Sequence, residues 1–465
     1  MPRGLAWLGV CGPGVIVLGV SIGSGEFLLG PAMFVKHGLT LLWVTLVAVF
    51  FQTVFNTELM RYTVSTGEPV VTGFMRTRPG KTFWAWFYAL LFFLQIGWPA
   101  WAATAAGAIF FVFLGHLPVM PQDEMARYLI GVGTFLGCML ILLIGKRIAR
   151  TLELLNWVLV TCILGGFLVL SLMYVPAPTW GAAFAGFAGF DPATGSFNFM
   201  PDNLDILLLG ALVGYSGGGG VLNITLSNWA RDKGYGMGSR VGHIGGAVGG
   251  AKSRLADTGF MFEADAENLR RWRGWWRIVR VDQWGIFFVG ALAGMMLPAL
   301  LYVTFVPPGT DMRQLEIAAV LAYQISSIAP ALGLLVAILG AWILFKTQLD
   351  VVEGMVRSVT DILWTGSSAV RGWRGGDARA VYYTVLAVVV VWGIIAMKMQ
   401  QPTTLLLIGA NIAGAVFVVA SLHLLYLNTR VLPEALRPPL WRRLSLAAMA
   451  LFYAFFMGLV LRSFL

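Results

Sequence analysis

Apolar stretches of helix-spanning length recur along almost the whole 465-residue chain. A helix needs about 20 consecutive apolar residues to cross the hydrocarbon core of a bilayer, and charged residues make up only 12% of this sequence. The pattern predicts an all-α integral membrane protein, a single transmembrane domain over residues 1–465 with about eleven helices. The predicted spans lie at about 12–36, 40–60, 83–114, 127–145, 153–174, 205–229, 284–305, 331–357, 381–398, 402–426 and 443–461.

Basic residues are distributed unevenly between the two ends of these spans. With a cytoplasmic N-terminus, 26 of the 32 Lys and Arg residues fall at inner ends, five fall at outer ends, and Lys346 lies within a span. This asymmetry follows the positive-inside rule. It predicts a bacterial inner (plasma) membrane protein with its N-terminus in the cytoplasm and its C-terminus outside. Because the net charge of +10 then faces the membrane surface, we expect no nucleic-acid partner.

The segment 267–284 carries arginines between the tryptophans Trp272, Trp275 and Trp276. Indole rings and cations both suit the headgroup level of a bilayer. We therefore predict that this segment is an interfacial anchor before the seventh span. The expected partner at this cytoplasmic face is anionic lipid.

Two spans contain residues that disfavour a continuous helix. The first contains Ile-Gly-Ser-Gly-Glu-Phe at 22–27, and the sixth contains Gly217–Gly220 directly after Tyr215 and Ser216. Each glycine costs about 1 kcal/mol in a helix interior, and unpaired backbone in a bilayer is tolerated only around a protein-lined cavity. We therefore predict that helices 1 and 6 are unwound at the midplane around a polar binding site. The alternative is that these glycines allow close helix packing.

The two interrupted spans lie five spans apart along the chain. This is the spacing of inverted five-helix repeats, in which corresponding broken helices meet at a binding site. The spacing predicts a first repeat at about 12–174, a second at about 205–426, and an extra helix at about 443–461.

The first span resembles the signature of the Nramp divalent-metal transporters, in which Gly-Pro-Gly is followed by Asp-Pro-Gly-Asn. Gly12-Pro13-Gly14 matches the first part, and Gly23-Ser24-Gly25-Glu26 occupies the second. Asn411 in the tenth span lies near the position of that family's glutamine. The chain is most similar to a divergent Nramp-related branch whose first-helix motif is Gly-Ser-Gly-Glu. The resemblance implies a LeuT-type fold with an inverted 5+5 repeat, and transport of a cation.

The sequence also departs from the Nramp pattern at functional positions. Gly23 and Glu26 replace the family's coordinating Asp and Asn, and the methionine of the sixth helix is absent from Ser216–Gly220. The third span lacks the carboxylates that the family uses for proton transfer. Without a thioether ligand, oxygen donors suit hard ions such as Mg²⁺ or Mn²⁺. The resemblance therefore implies a hard divalent cation carried without Nramp-type proton coupling.

A second resemblance leaves the substrate class open. Ile-Gly-Ser-Gly followed by Phe27 also resembles the first helix of amino-acid transporters in the wider LeuT-type superfamily. In those proteins the glycine backbone receives a substrate carboxylate. Glu26 would repel a carboxylate and would instead suit an amine-bearing solute. A small organic solute such as an amino acid or amine is therefore the alternative substrate.

These considerations predict a substrate site made from the two interrupted helices, with Glu26 as the metal-binding residue. We expect no catalytic residues and no cofactor, because the sequence shows no nucleophile–base pair or metal-ligand cluster; the chain is not predicted to be an enzyme. Asn223 is a candidate either for the site or for helix-to-helix hydrogen bonding. The predicted substrate-binding residues are Gly23, Ser24, Gly25, Glu26, Tyr215, Ser216, Gly217, Gly218, Gly219, Gly220 and Asn411.

The eighth span carries three charged residues on one helix face. Lys346, Asp350 and Glu353 are separated by four and three residues, a spacing that brings side chains together on a helix. One interpretation is a local salt bridge. The other is a gate or coupling-ion network, because ionisable residues within a membrane are functional candidates.

Overall fold

The computed structural model describes residues 9–144, 148–245, 247, 255–312, 317–399 and 401–464. Within these residues, ten helices are long and apolar enough to cross a membrane. A further span, the sixth, is divided into two shorter helices, so the all-α class and the eleven predicted spans are confirmed. Arg3, Lys146, Arg147, Lys252, Arg254 and Arg313, which contribute to the predicted charge asymmetry, lie outside the described residues.

The spans are numbered here in chain order, and their observed bounds agree with the predicted ones to within a few residues at most ends. Span 7 is the main exception, because its helix begins at Ala266 and includes the arginine-rich segment that was predicted to precede it. The spans are span 1 Pro13–His37, span 2 Leu39–Thr66, span 3 Lys81–Leu114, span 4 Glu124–Leu142, span 5 Ile148–Tyr174, span 6 Ile206–Tyr215 with Val221–Lys233, span 7 Ala266–Phe305, span 8 Pro330–Gly366, span 9 Ala378–Ala396, span 10 Pro402–Arg430 and span 11 Leu440–Arg462.

Short elements connect the spans. A two-stranded antiparallel sheet, Phe190–Asp191 with Ser196–Phe197, lies between spans 5 and 6. We call the end of the molecule that holds the start of span 1 the inner end, following the predicted orientation. The remaining short helices are Leu39–Leu41, which begins span 2, and Val70–Phe74, Ala177–Gly186, Gly238–Val241, Ile317–Ser326, Ser368–Gly372, Trp373–Gly375 and Glu434–Leu436.

Span 1 is helical throughout, and the prediction that it is unwound is wrong. Pro13–Ser21 and Gly30–His37 are α-helical, and Ile22–Leu29 between them is π-helical. The amide of Gly30 donates to the carbonyl of Gly25, five residues earlier, which is the π-type hydrogen bond. The wider turn changes the helix shape while its amides keep backbone partners. An unpaired amide at this buried position would be unfavourable.

Span 6 is interrupted as predicted, between Tyr215 and Val221. Gly217, Gly219 and Gly220 have φ values of +96°, +93° and +51°. Residues other than glycine strongly disfavour these positive φ values, because their Cβ atom clashes with the backbone. The run of glycines therefore permits a backbone path that a helix of ordinary residues cannot take.

Span 3 contains a second interruption that the sequence analysis did not predict. Its helix stops at Ile96 and resumes at Ala100, around Pro99, which has no amide hydrogen and disfavours a helical residue before it. The side-chain oxygen of Gln348 in span 8 accepts from the amide of Ala102 at 3.0 Å. A side chain from another span thus caps the second half of span 3.

Span 1 occupies the centre of the bundle. Its residues are buried along nearly the whole span, and it packs against spans 5, 6, 7 and 8. Spans 4, 5, 9 and 11 leave most of their side chains on the outer surface of the bundle. The π-helical segment of span 1 and the break in span 6 therefore lie in the interior.

Candidate functional site

Glu26 connects the π-helical segment of span 1 to the break in span 6. Its side chain is completely buried. The Oε1 atom accepts hydrogen bonds from the hydroxyl of Ser21 and, at 3.1 Å, from the amide of Gly217. Within the described residues, the Oε2 atom has no hydrogen-bond partner. An unpaired buried carboxylate oxygen is unfavourable, so this atom is the strongest candidate ligand for a cation.

Gly23 and Gly25 allow other elements to approach span 1 closely. A Cβ atom at Gly23 would overlap the hydroxyl of Thr347 in span 8. At Gly25 it would overlap the carbonyl oxygen of Tyr215, the last helical residue before the break. The close-packing alternative thus accounts for these two glycines. Their small size brings the backbone of span 6 onto the turn that carries Glu26.

Two glutamines bind the backbone of the break. Gln52 in span 2 donates to the carbonyl of Ser216 and accepts from the amide of Gly219 at 3.4 Å. Gln95 in span 3 donates to the carbonyl of Gly219 at 2.9 Å and accepts from the amide of Val221 at 2.9 Å. Neither residue was predicted from the sequence. The only signal of each in the sequence is an uncharged amide side chain inside an otherwise apolar span.

Hydroxyl groups and aromatic rings surround the same region. Ser24 donates to the carbonyl of Val20 at 2.9 Å and accepts from the indole nitrogen of Trp101 at 3.1 Å. The ring of Trp101 lies 6.1 Å from that of Tyr215. Ser216 donates to the carbonyl of Leu212 at 2.7 Å. These predicted site residues lie together around the contact between spans 1 and 6.

Asn411 lies apart from this group. Its side-chain nitrogen donates to the carbonyl of Leu207 at 3.1 Å and to that of Leu407 in its own span at 2.9 Å. Leu207 is eight residues before Tyr215, a distance of about 12 Å along a helix. The contact therefore places Asn411 beside the beginning of span 6, away from Glu26 and Gly217.

The three charged residues of span 8 form two separate groups. Lys346 pairs with Asp350 at 3.2 Å, and Asn156 in span 5 donates to Asp350 at 3.1 Å. The local salt bridge is therefore confirmed for this pair, which packs against Gly19 of span 1. Glu353 belongs to another group, because it accepts from the indole of Trp229 in span 6 at 2.6 Å.

Glu353 is part of a buried ion network at the inner end. Arg357 pairs with Glu353 and with Asp232. Arg231 pairs with Asp232 at 2.7 Å and with Asp361 at 2.6 Å. All five side chains are nearly inaccessible to solvent. The ion pairs join residues of span 6 to residues of span 8. Separating these residues would leave uncompensated buried charges, which is strongly unfavourable.

The beginning of span 1 is held by side chains from spans 5 and 6 and the segment that follows span 6. Lys233 donates to the carbonyl of Cys11 at 2.9 Å and pairs with Glu153 at 2.7 Å. The hydroxyl of Tyr235 donates to the carbonyl of Val10 at 2.7 Å. Burial raises the pKa of Tyr235 well above its ordinary value, so this hydroxyl keeps its proton. Beside these contacts is a cavity of about 390 Å³, lined in part by Gly9, Pro13, Ile16, Glu153, Trp229 and Lys233.

Within the described residues, no three His, Cys, Asp or Glu side chains are grouped to hold a metal ion. A cation bound at Glu26 would therefore need neutral oxygens among its other ligands. The hydroxyl of Ser21 contacts Glu26 directly, and the carbonyl oxygen of Tyr215, at the start of the break, packs against the neighbouring Gly25. This donor set suits hard cations, which prefer oxygen ligands.

Comparisons with known proteins show the fold. No protein-family model and no curated protein matches the sequence. The structure is similar to the Eremococcus coleocola manganese transporter, solved in complex with an aromatic bis-isothiourea substituted compound, with a TM-score of 0.66 and 15% identity over 98% of this chain and 88% of that one. It is also similar to Mhp1, a nucleobase-cation-symport-1 family transporter solved in a closed conformation with bromovinylhydantoin bound, with a TM-score of 0.53 and 12% identity over 96% and 90%. The chain therefore has the LeuT-type fold.

Proposed function

We propose that this protein is a secondary transporter that carries a small cation by alternating access, and that the cation is a hard divalent metal, Mg²⁺ or Mn²⁺. The observation that carries the proposal is the unpaired Oε2 atom of Glu26, buried against the break in span 6. A bound cation would compensate this charge, which is otherwise unfavourable in a low-dielectric interior. The LeuT-type fold supports the transporter class, because such folds bind substrates where interrupted helices meet.

The close packing around Glu26 favours an ion over a larger solute. At Gly25 there is no space for one additional carbon atom between span 1 and the carbonyl of Tyr215. An organic substrate would need several times that volume. A metal ion with oxygen ligands at about 2.0–2.6 Å requires much less movement of the two spans.

One observation favours a second candidate, an amine-bearing organic solute. The ring centroids of Trp101 and Tyr215 lie 6.1 Å apart, with the ring planes tilted by 31°, beside Ser24. Aromatic faces attract organic cations, and Glu26 would supply the opposite charge. An amine would require the packing at Gly25 to open, so we place it second.

We also propose that transport does not use Nramp-type proton coupling. Span 3, in which that family has carboxylates for proton transfer, contains neither Asp nor Glu between Lys81 and Leu114. Apart from Glu26, the Lys346–Asp350 pair of span 8 is an ionisable pair that packs on span 1, at Gly19. It is therefore the candidate for any other coupling.

Uptake by purified protein in liposomes tests the proposal. We expect saturable uptake of Mg²⁺ or Mn²⁺ that an imposed proton gradient changes less than about twofold, since no proton-transfer carboxylates are present in span 3. A panel of amino acids and small amines is measured in the same vesicles. Uptake of an amine without uptake of either metal would overturn the metal assignment, and the absence of any uptake would overturn the transporter class.

A further inference from the structure

Four side chains from three spans form a continuous hydrogen-bonded chain between the break in span 6 and the beginning of span 1. Asn223 in span 6 donates to Asn56 in span 2 at 2.8 Å. Asn56 donates to Gln283 in span 7 at 3.0 Å, and Gln283 donates to Asp282 at 2.8 Å. All four side chains are completely buried. We refer to Asn223, Asn56, Gln283 and Asp282 as the amide chain.

The carboxylate of Asp282 sets the direction of every bond in the amide chain. Its two oxygens accept from the amides of Gly12 at 2.9 Å and Gly14 at 2.8 Å, so this group acts as an acceptor. An amide side chain next to a carboxylate must present its NH₂ group to it. Gln283 therefore turns its oxygen toward Asn56, which must in turn donate to it.

The requirement that each donor faces an acceptor also fixes the orientation of Asn223. Since Asn56 uses its nitrogen for Gln283, its oxygen accepts from the nitrogen of Asn223. The oxygen of Asn223 is left at the free end of the amide chain. It lies beside Gly218, where a Cβ atom would be 2.7 Å from it, and it has no hydrogen-bond partner within the described residues.

A buried amide oxygen without a partner is rare in folded proteins. The amide chain prevents Asn223 from relieving this by rotating its amide group, because rotation would place two donors or two acceptors face to face. The oxygen lies at the break itself, one residue from Gly217, whose amide binds Glu26. The fixed orientation therefore keeps an oxygen ligand ready at the break.

We infer that the side-chain oxygen of Asn223 binds the transported cation at the inner side of the break, and that Asp282 positions it through Gln283 and Asn56. This inference rests on the proposed function, since it adds a second cation-binding group to the site of Glu26. Amide oxygens are ordinary ligands of hard divalent cations. Asp282, Gln283 and Asn56 are positioning residues that act through Asn223.

The test measures the Kd of purified protein for Mn²⁺ and the KM for Mn²⁺ uptake in liposomes. Asn223→Leu, which keeps the approximate volume, should weaken Mn²⁺ binding by about 10–100-fold, the usual effect of losing a metal-site ligand or its support. Asn223→Asp presents a charged oxygen at the same place. The hydrogen bond that it can no longer donate to Asn56 is lost both with and without the ion, so Mn²⁺ should still bind at least about tenfold more tightly, because opposite charges attract strongly in a low-dielectric interior.

Moving the carboxylate from position 282 to position 283 tests whether Asp282 orients the amide chain or only supports the fold. Asp282→Asn removes the acceptor that fixes the orientation and should weaken Mn²⁺ binding by about tenfold. The double variant Asp282→Asn with Gln283→Glu places the carboxylate one residue along, where it again forces Asn56 to donate. It should restore the Kd to within about threefold of the wild type, since the orientation of Asn223 is restored.

Asn428→Leu is the matched control. Asn428 is also completely buried and also has an oxygen without a partner in the described part of the chain, but it donates to the carbonyl of Glu58, which is not a member of the amide chain or of the break. Its Mn²⁺ affinity should equal that of the wild type. Each variant is first checked for a monodisperse size-exclusion peak.

The outcomes separate this inference from the proposed function. If the wild type binds neither Mn²⁺ nor Mg²⁺, or Glu26→Gln binds the ion as well as the wild type, the proposed metal site fails. If Glu26→Gln loses Mn²⁺ binding while Asn223→Leu keeps wild-type affinity, the role of Asn223 is overturned. If Asn223→Leu does not fold, an unchanged Kd in Asn223→Asp overturns it. If the double variant is as weak as Asp282→Asn or weaker, Asp282 does not act by orienting the amide chain.

Discussion

Replacing Glu26 by Gln is expected to lower divalent-cation uptake at least about 100-fold, because the variant loses the carboxylate that compensates the charge of the ion. The substitution keeps the shape of the side chain, and its amide oxygen can still accept from Ser21 and from the amide of Gly217, the two partners seen in the wild type. The fold should therefore survive. The readout is initial uptake of Mn²⁺ into liposomes that contain equal amounts of reconstituted protein.

Glu267→Gln is the matched control for this substitution. Glu267 is exposed at the beginning of span 7, and its ion pair with Arg271 is a surface contact. Such pairs contribute little to stability, so uptake should stay at the wild-type level. Unchanged Mn²⁺ flux in Glu26→Gln would show that the cation does not depend on this carboxylate, and the proposed metal site would then be wrong.

Replacing Gly25 by Ala should strongly reduce transport and destabilise the protein. The added Cβ atom would overlap the backbone carbonyl of Tyr215, and neither helix backbone can rotate away as a side chain can. Overpacking in a dense core usually costs about 1–3 kcal/mol. We expect the temperature of half-denaturation in detergent to fall by about 1–3 °C and uptake to fall at least about tenfold, because spans 1 and 6 must separate.

The control is the same substitution at Gly133 in span 4. Among the residues that the structure describes, a Cβ atom at this position would meet no atom within 4 Å, and alanine favours a helix more than glycine does. Gly133→Ala should therefore leave uptake unchanged and leave stability equal or slightly higher. If Gly25→Ala transports and unfolds like the wild type, the contact between span 1 and Tyr215 is not the tight packing described above.

Local sequence signals were sufficient to predict the spans and one of the two interruptions. Four consecutive glycines disfavour a helix wherever they occur, and three of Gly217–Gly220 have positive φ. At residues 22–27 the same reasoning was wrong, because the glycines there serve contacts with Thr347 and Tyr215. Those contacts depend on how the spans pack, and the packing cannot be derived from the spacing of glycines in one segment.

The groups that complete the site were also beyond the sequence analysis. Gln52 and Gln95 contact residues more than 120 positions away in the chain. Asp282 was assigned to an interfacial anchor, although it binds the amides at the beginning of span 1. Such pairings depend on which spans are neighbours. Hydropathy identifies the spans, but it does not indicate the side chains that face each other between them.

The most direct test of the central claim is the position of Mn²⁺ located by anomalous scattering in crystals grown with that ion. The account predicts one compact peak between spans 1 and 6, with an oxygen of Glu26 at about 2.0–2.6 Å, and no peak there in Glu26→Gln. An extended organic density at this place, or a Mn²⁺ peak elsewhere in protein that transports the ion, would contradict the account.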